Sequence, residues 1–135
     1  MNDKERQVIV VADDDHDICK LVEIQLSRHG FQVFTANNGD SALVLIFVHR
    51  PVVALLDIMM PGLSGLDVAR RVRDNPATSQ TGIVMFSARS TFGSEADLDE
   101  LGVDDYIIKP FSPQDLVRRI NDVINRRRTD ETTQL

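Results

Sequence analysis

The residues best suited to chemistry in this sequence are acidic, and they follow short apolar runs. Asp13 and Asp14 follow the run Val8–Ala12, and Asp57 follows the run Val52–Leu56. Three carboxylates in one place repel one another, so their convergence makes sense chiefly if a hard divalent cation neutralises them. Oxygen ligands without His or Cys favour Mg²⁺, or Mn²⁺ in its place, over zinc.

Two further polar side chains follow later apolar runs. Ser87 comes after Ile83–Phe86, and Lys109 comes after Tyr106–Ile108. An ammonium group and a hydroxyl beside a cation form a pocket for a tetrahedral dianion, such as a phosphoryl group. An aspartate can itself be the nucleophile in phosphoryl transfer, with an aspartyl phosphate as the product.

Each of these residues also has an ordinary structural interpretation when it is taken alone. Asp at a strand end is common as a turn former or helix cap, and a lone Ser87 would more often be a turn residue. A lone Lys109 would be a solvated charge whose removal costs little stability. Five residues of the required types, all at the ends of apolar runs, favour a phosphoacceptor site over these separate interpretations.

The apolar runs must be neighbouring strands if these side chains are to meet. Continuous runs of this kind suit parallel strands that are buried on both faces. A weaker fifth candidate, Phe31–Thr35, follows His29 and Gly30, which are typical of a helix end. Alternation of strands with helices predicts an α/β fold with a doubly wound five-stranded parallel sheet. In such sheets the ligand site lies beyond the carboxyl ends of the strands.

Three of the predicted helices have apolar residues on one face. The first begins near a cap at Asp15 or Asp17, the third follows Gly65, and the last follows Ser112 as cap and Pro113 in the first turn. Their apolar positions are Ile18, Leu21, Val22 and Leu26 in the first, Val68, Ala69 and Val72 in the third, and Leu116, Val117, Ile120, Val123 and Ile124 in the last.

The second predicted helix, Ser41–His49, is apolar all round. Its inward positions are Ala42, Leu43 and Ile46, and its outward stripe is Val44, Phe47 and Val48. Three exposed apolar side chains approach the size at which a surface patch marks a partner site. One hypothesis is therefore an interface with a second copy, an absent domain or a kinase. The alternatives are that long neighbouring side chains cover the stripe, or that this β-branched run is partly extended.

Composition limits the classes of protein that fit. The chain has 135 residues, of which 42% are hydrophobic, and this suits one globular domain. The net charge of -6 argues against direct nucleic acid binding. A single cysteine excludes an internal disulfide, and we expect a soluble cytoplasmic protein without a membrane segment.

Four motifs together resemble the receiver domains of two-component response regulators, which belong to the CheY-like superfamily. They are VVADDD at Val10–Asp15, LLDIMMPG at Leu55–Gly62, Ser87-Ala88, and DDYIIKPF at Asp104–Phe111. The resemblance runs from about Gln7 to Asn125. It implies a flavodoxin-like receiver fold with strand order 2-1-3-4-5.

The resemblance also implies a role for each matching residue. Asp57 would be the phosphoacceptor, Asp14 a direct metal ligand, and Asp13 a partner of the metal through water. The Met59 carbonyl would be a further ligand, and Lys109 would pair with the phosphoryl charge.

Other implied roles concern the phosphoryl group and its signal. Ser87 would bond a phosphoryl oxygen with the Ala88 amide nearby. Ser87 and Tyr106 would form a switch that changes a protein-interaction surface. The family also has a cis peptide bond at the position of Lys109-Pro110, which X-Pro bonds tolerate.

The implied function is a phosphorelay receiver, not a conventional enzyme. It would take the phosphoryl group from a sensor histidine kinase or phosphotransfer protein, with Mg²⁺-dependent self-phosphorylation from small donors and autodephosphorylation. The alternative is a pseudo-receiver that binds partners without phosphate. A phosphatase of the haloacid dehalogenase type is disfavoured because Met59 stands where its second aspartate would be.

The segments outside the motifs give weaker signals. We expect residues 1–6 to be disordered, residues 7–125 to form the receiver domain, and residues 126–135 to be a basic helix end and polar tail or severed linker. The acidic segment Ser90–Leu101 differs from many transcriptional regulators and puts their usual dimer in doubt. Gly62–Gly65 fits neither a nucleophile elbow nor an RNA-binding clamp, and we expect a loop beside Asp57.

Overall fold

The computed structural model of the chain describes residues 6–88 and 99–133, with side chains as far as Arg128. Five strands and four helices lie wholly within this part. They are β1 (Val8–Ala12), α1 (His16–Arg28), β2 (Gln32–Ala36), α2 (Gly39–His49), β3 (Val53–Asp57), α3 (Gly65–Asp74), β4 (Gly82–Ser87), β5 (Asp105–Ile108) and α4 (Pro113–Thr133). The predictions for residues 1–5 and for most of the segment Ser90–Leu101 lie outside the described residues.

The five strands form one parallel sheet in the order β2-β1-β3-β4-β5, which confirms the predicted topology. Every residue of β3 and β4 is buried, as the continuous apolar runs predicted. The predicted second strand was one residue early, because Phe31 belongs to the capping turn that follows α1. Its amide donates to the Leu26 carbonyl, and Gly30 before it has a φ of 91°.

Helices cover both faces of the sheet. Side chains of α1 and α4 share one core cluster with Ile9 and Val11, and side chains of α2 and α3 share the other with Val10 and Ala12. Successive residues of a strand point to opposite faces, so β1 contributes alternately to the two clusters. The sheet is therefore buried from both sides, and its polar residues collect at the strand ends.

The buried face of α1 differs from the prediction at one position. Leu21 was placed on the apolar face, but half of its surface is exposed. Cys19 is buried instead, together with Val22 and Leu26. These three residues recur at i, i+3 and i+7, so they define the centre of the buried face, and Leu21 lies outside it.

The outward stripe predicted on α2 is only partly correct. Val44 and Val48 are 60% and 67% exposed, whereas Phe47 is half-buried and packs against the core. The inward positions Ala42, Leu43 and Ile46 are buried as predicted. The exposed patch is therefore smaller than expected, and the interface hypothesis stays a prediction.

The last helix is longer than the apolar pattern indicated. All five of its predicted core positions are buried, and Ser112 caps it by accepting a hydrogen bond from the Asp115 amide. The helix continues through the basic residues Arg126–Arg128, which were expected to form a helix end, and on to Thr133, within the stretch expected to be a polar tail. The Arg127 guanidinium pairs with the Asp104 carboxylate at 3.0 Å. In the described part of the chain, none of the helices is long and apolar enough to cross a membrane.

Candidate functional site

The carboxyl ends of four strands bring the predicted site residues together. Asp13 follows β1, Asp57 ends β3, Ser87 ends β4 and Lys109 follows β5. Carboxylate oxygens of Asp13, Asp14 and Asp57 lie within 4.8 Å of one another. The carboxylates of Asp13, Asp14 and Asp57 therefore meet at the edge of the sheet where these strands end.

Lys109 is the cation of this cluster. Its Nζ lies 2.5 Å from Asp13 Oδ2, 3.4 Å from Asp57 Oδ2 and 4.6 Å from the centroid of the Phe86 ring. Only 16% of the side chain is exposed, so the isolated interpretation of Lys109 as a solvated charge is wrong. Its backbone amide donates to the Ser87 carbonyl at 2.7 Å, which fixes the chain where the ammonium group leaves β5.

The charge balance of the cluster is negative, and this changes the protonation of its members. Burial, then the Asp13 charge, raises the pKa of the Asp57 carboxyl to about 6, although Lys109 and the Met59 amide act to lower it. Burial acts to lower the pKa of Lys109, but the hydrogen bond and charge of Asp13 outweigh it and raise the pKa. Lys109 therefore stays charged beside the carboxylates.

Asp13 is held by several neighbours at the end of β1. Its carboxylate accepts a hydrogen bond from the Asp15 amide at 2.9 Å, and its own amide donates to the Ala36 carbonyl at 3.1 Å. The Asp13 carbonyl accepts from Asn37 Nδ2 at 3.1 Å and from the Cys19 thiol at 3.3 Å. Burial, followed by the Asp13 charge, raises the pKa of that thiol to about 11, so it stays protonated and can donate.

Asn37 and Cys19 were missed by sequence reasoning. Both are separated in sequence from the site, and neither belongs to the motifs that end the strands. A usable signal for Asn37 was its position directly after β2, where a polar side chain reaches the same sheet edge as Asp13. The one-residue error in the bounds of β2 concealed that position.

The loop after β3 packs closely on the Asp57 backbone. A Cβ atom added at Gly65 would lie 2.5 Å from the Asp57 carbonyl oxygen, so a larger residue there would displace the strand end. Ser64 caps α3 by accepting from the Asp67 amide, and Asp67 accepts from the Ser64 amide in return. Gly62–Gly65 is thus a loop and cap beside Asp57, as predicted.

The remaining predicted residues surround the cluster. Ser87 is buried, Ala88 is exposed, and Tyr106 is half-buried against the second core cluster. The Met59 side chain is 58% exposed while its amide donates to Asp57 Oδ1 at 3.1 Å. Metal ligation by the Met59 carbonyl and phosphoryl binding by the Ala88 amide stay predictions. The peptide bond Lys109-Pro110 is cis.

The donor set fits a hard divalent cation. Among the described residues, three carboxylates face the one ammonium group of Lys109, so the cluster has an excess of negative charge in a partly buried place. Carboxylate oxygens are the ligands that Mg²⁺ prefers, and it usually retains several waters. The exposure of Asp14 leaves one side of the cluster open to such waters.

The sequence matches a family model described as the response regulator receiver domain over residues 9–121. The chain belongs to this family. As a receiver domain it is 36% identical over 125 residues to the transcriptional regulatory protein SrrA of Staphylococcus aureus, covering 93% of this chain and 50% of that one. It is 35% identical over 120 residues to the phosphate regulon transcriptional regulatory protein PhoB of Pseudomonas aeruginosa, covering 89% and 52%. The chain spans about half the length of the curated relatives it matches.

Solved structures of receiver domains agree with this fold. The receiver domain of the Francisella response regulator 1452 has a TM-score of 0.79 at 30% identity, covering 89% of this chain and 98% of that one. The chemotaxis response regulator CheY4 of Vibrio cholerae has a TM-score of 0.81 at 26% identity, covering 87% and 98%. The flavodoxin-like receiver fold with strand order 2-1-3-4-5 is therefore confirmed.

Proposed function

We propose that this receiver domain accepts a phosphoryl group on Asp57 in a two-component phosphorelay. The donor is a phosphohistidine of a sensor histidine kinase or phosphotransfer protein. The observation that supports this function most directly is the position of the Lys109 ammonium group, 2.5 Å from Asp13 and 3.4 Å from Asp57, beside three converging carboxylates. A phosphoryl group on Asp57 would lie within reach of that charge.

In the transfer step, a carboxylate oxygen of Asp57 attacks phosphorus. The bond between phosphorus and the donor nitrogen breaks, and that nitrogen keeps the electron pair. Lys109 offsets the charge of the transferred group, while the Ser87 hydroxyl and the Ala88 amide donate to its oxygens. Mg²⁺ held by Asp13, Asp14, Asp57 and the Met59 carbonyl would supply the remaining positive charge.

The same site accounts for slow loss of the signal. Water attacks phosphorus, the bond to Asp57 breaks, and the carboxylate and inorganic phosphate are released. A small acyl phosphate can replace the kinase as donor, because the reacting groups are in this chain. The domain is thus a signalling phosphoacceptor with intrinsic self-phosphorylation and autodephosphorylation, and not a conventional enzyme.

The signal passes through Ser87 and Tyr106. Movement of Ser87 toward the phosphoryl group leaves space into which Tyr106 turns, and the two changes bias the surface of β5 and α4. The relatives are named transcriptional regulators and are about twice as long, so an output domain is the proposed receiver of this signal. A second copy is another candidate partner. This domain itself makes no direct contact with nucleic acid or membrane and acts in the cytoplasm.

The alternative function is a pseudo-receiver that never takes phosphate. The phosphoacceptor function is favoured because one cluster contains Asp13, Asp14, Asp57 and Lys109. Three close carboxylates repel one another, and a domain that only binds partners does not require that repulsion. A stable covalent phosphoryl group distinguishes the two functions.

Intact-protein mass spectrometry tests the proposal. The wild type is incubated with a small acyl phosphate, with and without Mg²⁺, and should gain one phosphoryl group only when Mg²⁺ is present. Asp57→Asn should gain none, whereas Asp74→Asn, at an exposed position at the end of α3, should behave as wild type. Equal labelling of wild type and Asp57→Asn would show that Asp57 is not the acceptor.

A further inference from the structure

The Asp13 main-chain carbonyl lies between two side chains from different parts of the fold. Asn37, directly after β2, donates its Nδ2 at 3.1 Å, and Cys19, in α1, donates its thiol at 3.3 Å. Asn37 Nδ2 also lies 3.8 Å from the Cys19 sulfur. The carbonyl therefore accepts from two side chains, while the Asp13 amide, in the preceding peptide unit, donates to the Ala36 carbonyl.

We propose that Asn37 is a positioning residue for the acidic pair Asp13 and Asp14. This inference rests on the proposed function, in which the pair holds Mg²⁺. The carbonyl that Asn37 binds is part of the peptide plane joining Asp13 to Asp14. Because the peptide unit is rigid, fixing that oxygen restricts the torsion angles on both sides and hence the directions of both carboxylates.

The position of Asn37 in the sheet supports a positioning role more than a general role in the core. β1 and β2 pair in register as far as Ala12 and Ala36, so Asp13 and Asn37 are the next pair beyond the ladder. A side-chain amide at that position extends the hydrogen bonding between the two strands by one residue. This extra hydrogen bond lies where the chain leaves β1 and enters the acidic pair Asp13 and Asp14.

Asn37 has a neighbour that serves as a matched control. Asn38 has the same side chain and also bonds to the backbone, but as an acceptor: its Oδ1 accepts from the Ser41 amide at 2.8 Å and so caps α2. Among the described residues it has no hydrogen bond to Asp13. Loss of a helix cap reduces stability without changing a remote peptide plane. The pair Asn37→Ala and Asn38→Ala therefore separates positioning from general stability.

The test has two readouts on the full chain. Calorimetric titration of MgCl₂ into metal-free protein, without a phosphodonor, should show affinity about tenfold weaker for Asn37→Ala, as is typical when a supporting hydrogen bond behind a ligand is lost. Asn38→Ala should bind Mg²⁺ as the wild type does, even if it melts at a lower temperature. In the metal-free proteins, the NMR resonance of the Asp14 amide should shift in Asn37→Ala and not in Asn38→Ala.

Each other outcome overturns the proposal. An unchanged Asp14 amide in Asn37→Ala means that Asn37 does not hold the peptide. A changed amide with wild-type Mg²⁺ affinity means that the contact is structural only, as does equal weakening in both variants. If the wild type does not bind Mg²⁺, the proposed function loses its metal and Asn37 loses this role. If the wild type binds Mg²⁺ and Asn37→Ala binds it with the same affinity, only the positioning role is overturned.

Discussion

Lys109 is the residue on which the electrostatics of the site depend. Its ammonium group lies within hydrogen-bond reach of Asp13 and Asp57, and its side chain is mostly buried. Removing one partner of a buried ion pair leaves the other charge uncompensated, and this is more costly than the loss of an exposed pair. The structure therefore changes the expectation that truncation of Lys109 would leave stability almost unaltered.

We expect Lys109→Ala to lower the free energy of unfolding of the metal-free protein by about 1–3 kcal/mol. Chemical denaturation at neutral pH measures this. Lys20→Ala, at an exposed position on α1, is the matched control and should change stability by less than about 0.5 kcal/mol. Equal effects in the two variants would show that the ion pairs of Lys109 contribute nothing to the fold.

Asp57 lowers the stability of the metal-free protein at neutral pH, whereas Lys109 raises it. Its pKa is raised to about 6 in the folded protein by burial and by Asp13, so the charged form is disfavoured on folding. The cost is absent below the ordinary aspartate pKa near 4, grows as pH rises through 6, and is complete above it. A neutral residue at this position avoids that cost.

Asp57→Asn should therefore stabilise the metal-free protein at pH 7, by about 1–3 kcal/mol. The gain should shrink toward zero as pH falls to about 4, where the wild-type carboxyl is also neutral. Denaturation curves of both proteins at pH 4 and 7 check this. If the gain in stability is the same at pH 4 as at pH 7, its cause is packing and not charge.

The two acids after β1 differ in exposure, and this supports different roles. Asp13 is fully buried and paired with Lys109, whereas Asp14 is exposed. We expect Asp14→Ala to weaken Mg²⁺ binding more than Asp13→Ala does, because Asp14 is the proposed direct ligand. Calorimetric titration of both variants decides this, and the reverse order would exchange the two roles.

At the scale of the elements, α4 is tied to the sheet beyond its apolar face. Arg127 donates to both Asp104 carboxylate oxygens and to the Gln80 carbonyl, and Arg73 of α3 reaches the same carboxylate at 3.3 Å. Burial lowers the pKa of Arg73 to about 10, with Arg127 adding to the effect, but the group stays charged at neutral pH. Asp104, the residue before β5, therefore links α3 to α4 through its carboxylate.

We expect Arg127→Ala to destabilise the protein by about 1 kcal/mol and to shorten α4 at its C-terminal end. Amide hydrogen exchange should become faster in the last two turns of the helix and stay unchanged in its first turns. Arg126→Ala is the control, since that exposed side chain has one long contact of 3.4 Å. Identical exchange in all three proteins would show that the extension is stable without Asp104.

At the scale of the whole molecule, metal binding should appear as stability. A ligand that binds only the folded state stabilises it by RT ln(1 + [L]/Kd), about 2.7 kcal/mol at a concentration of 100 Kd. For a domain of this size, Mg²⁺ at that concentration should raise the melting temperature by on the order of 10 °C relative to protein in chelator. Asp14→Ala should show a much smaller rise at the same Mg²⁺ concentration, and equal rises would mean that the cation binds elsewhere.

The amino-acid sequence alone was enough to predict the buried strands and the acidic cluster at their ends. Continuous apolar runs identified the buried strands, and polar residues directly after them had to meet at one sheet edge, because the carboxyl ends of parallel strands share that edge. The five inward positions of α4 and the cap at Ser112 followed from local spacing and chemistry. The strands and the cap depend on near neighbours in the chain, so the order of residues was sufficient to predict them. The general geometry of parallel sheets then placed the strand ends together, and the strand order came from the resemblance to receiver domains.

The rotation of the helices on the sheet, and the contacts between side chains far apart in sequence, depend on tertiary packing and were not predicted from the sequence. Helical spacing places Cys19 and Leu21 on opposite sides of Val22, and packing against the sheet buries Cys19 and leaves half of Leu21 exposed. The same packing leaves Phe47 half-buried. The bonds from Asn37 to Asp13 and from Arg127 to Asp104 join residues far apart in sequence. Local periodicity carries no information on such pairs, because their geometry arises only when the helices have docked on both faces of the sheet.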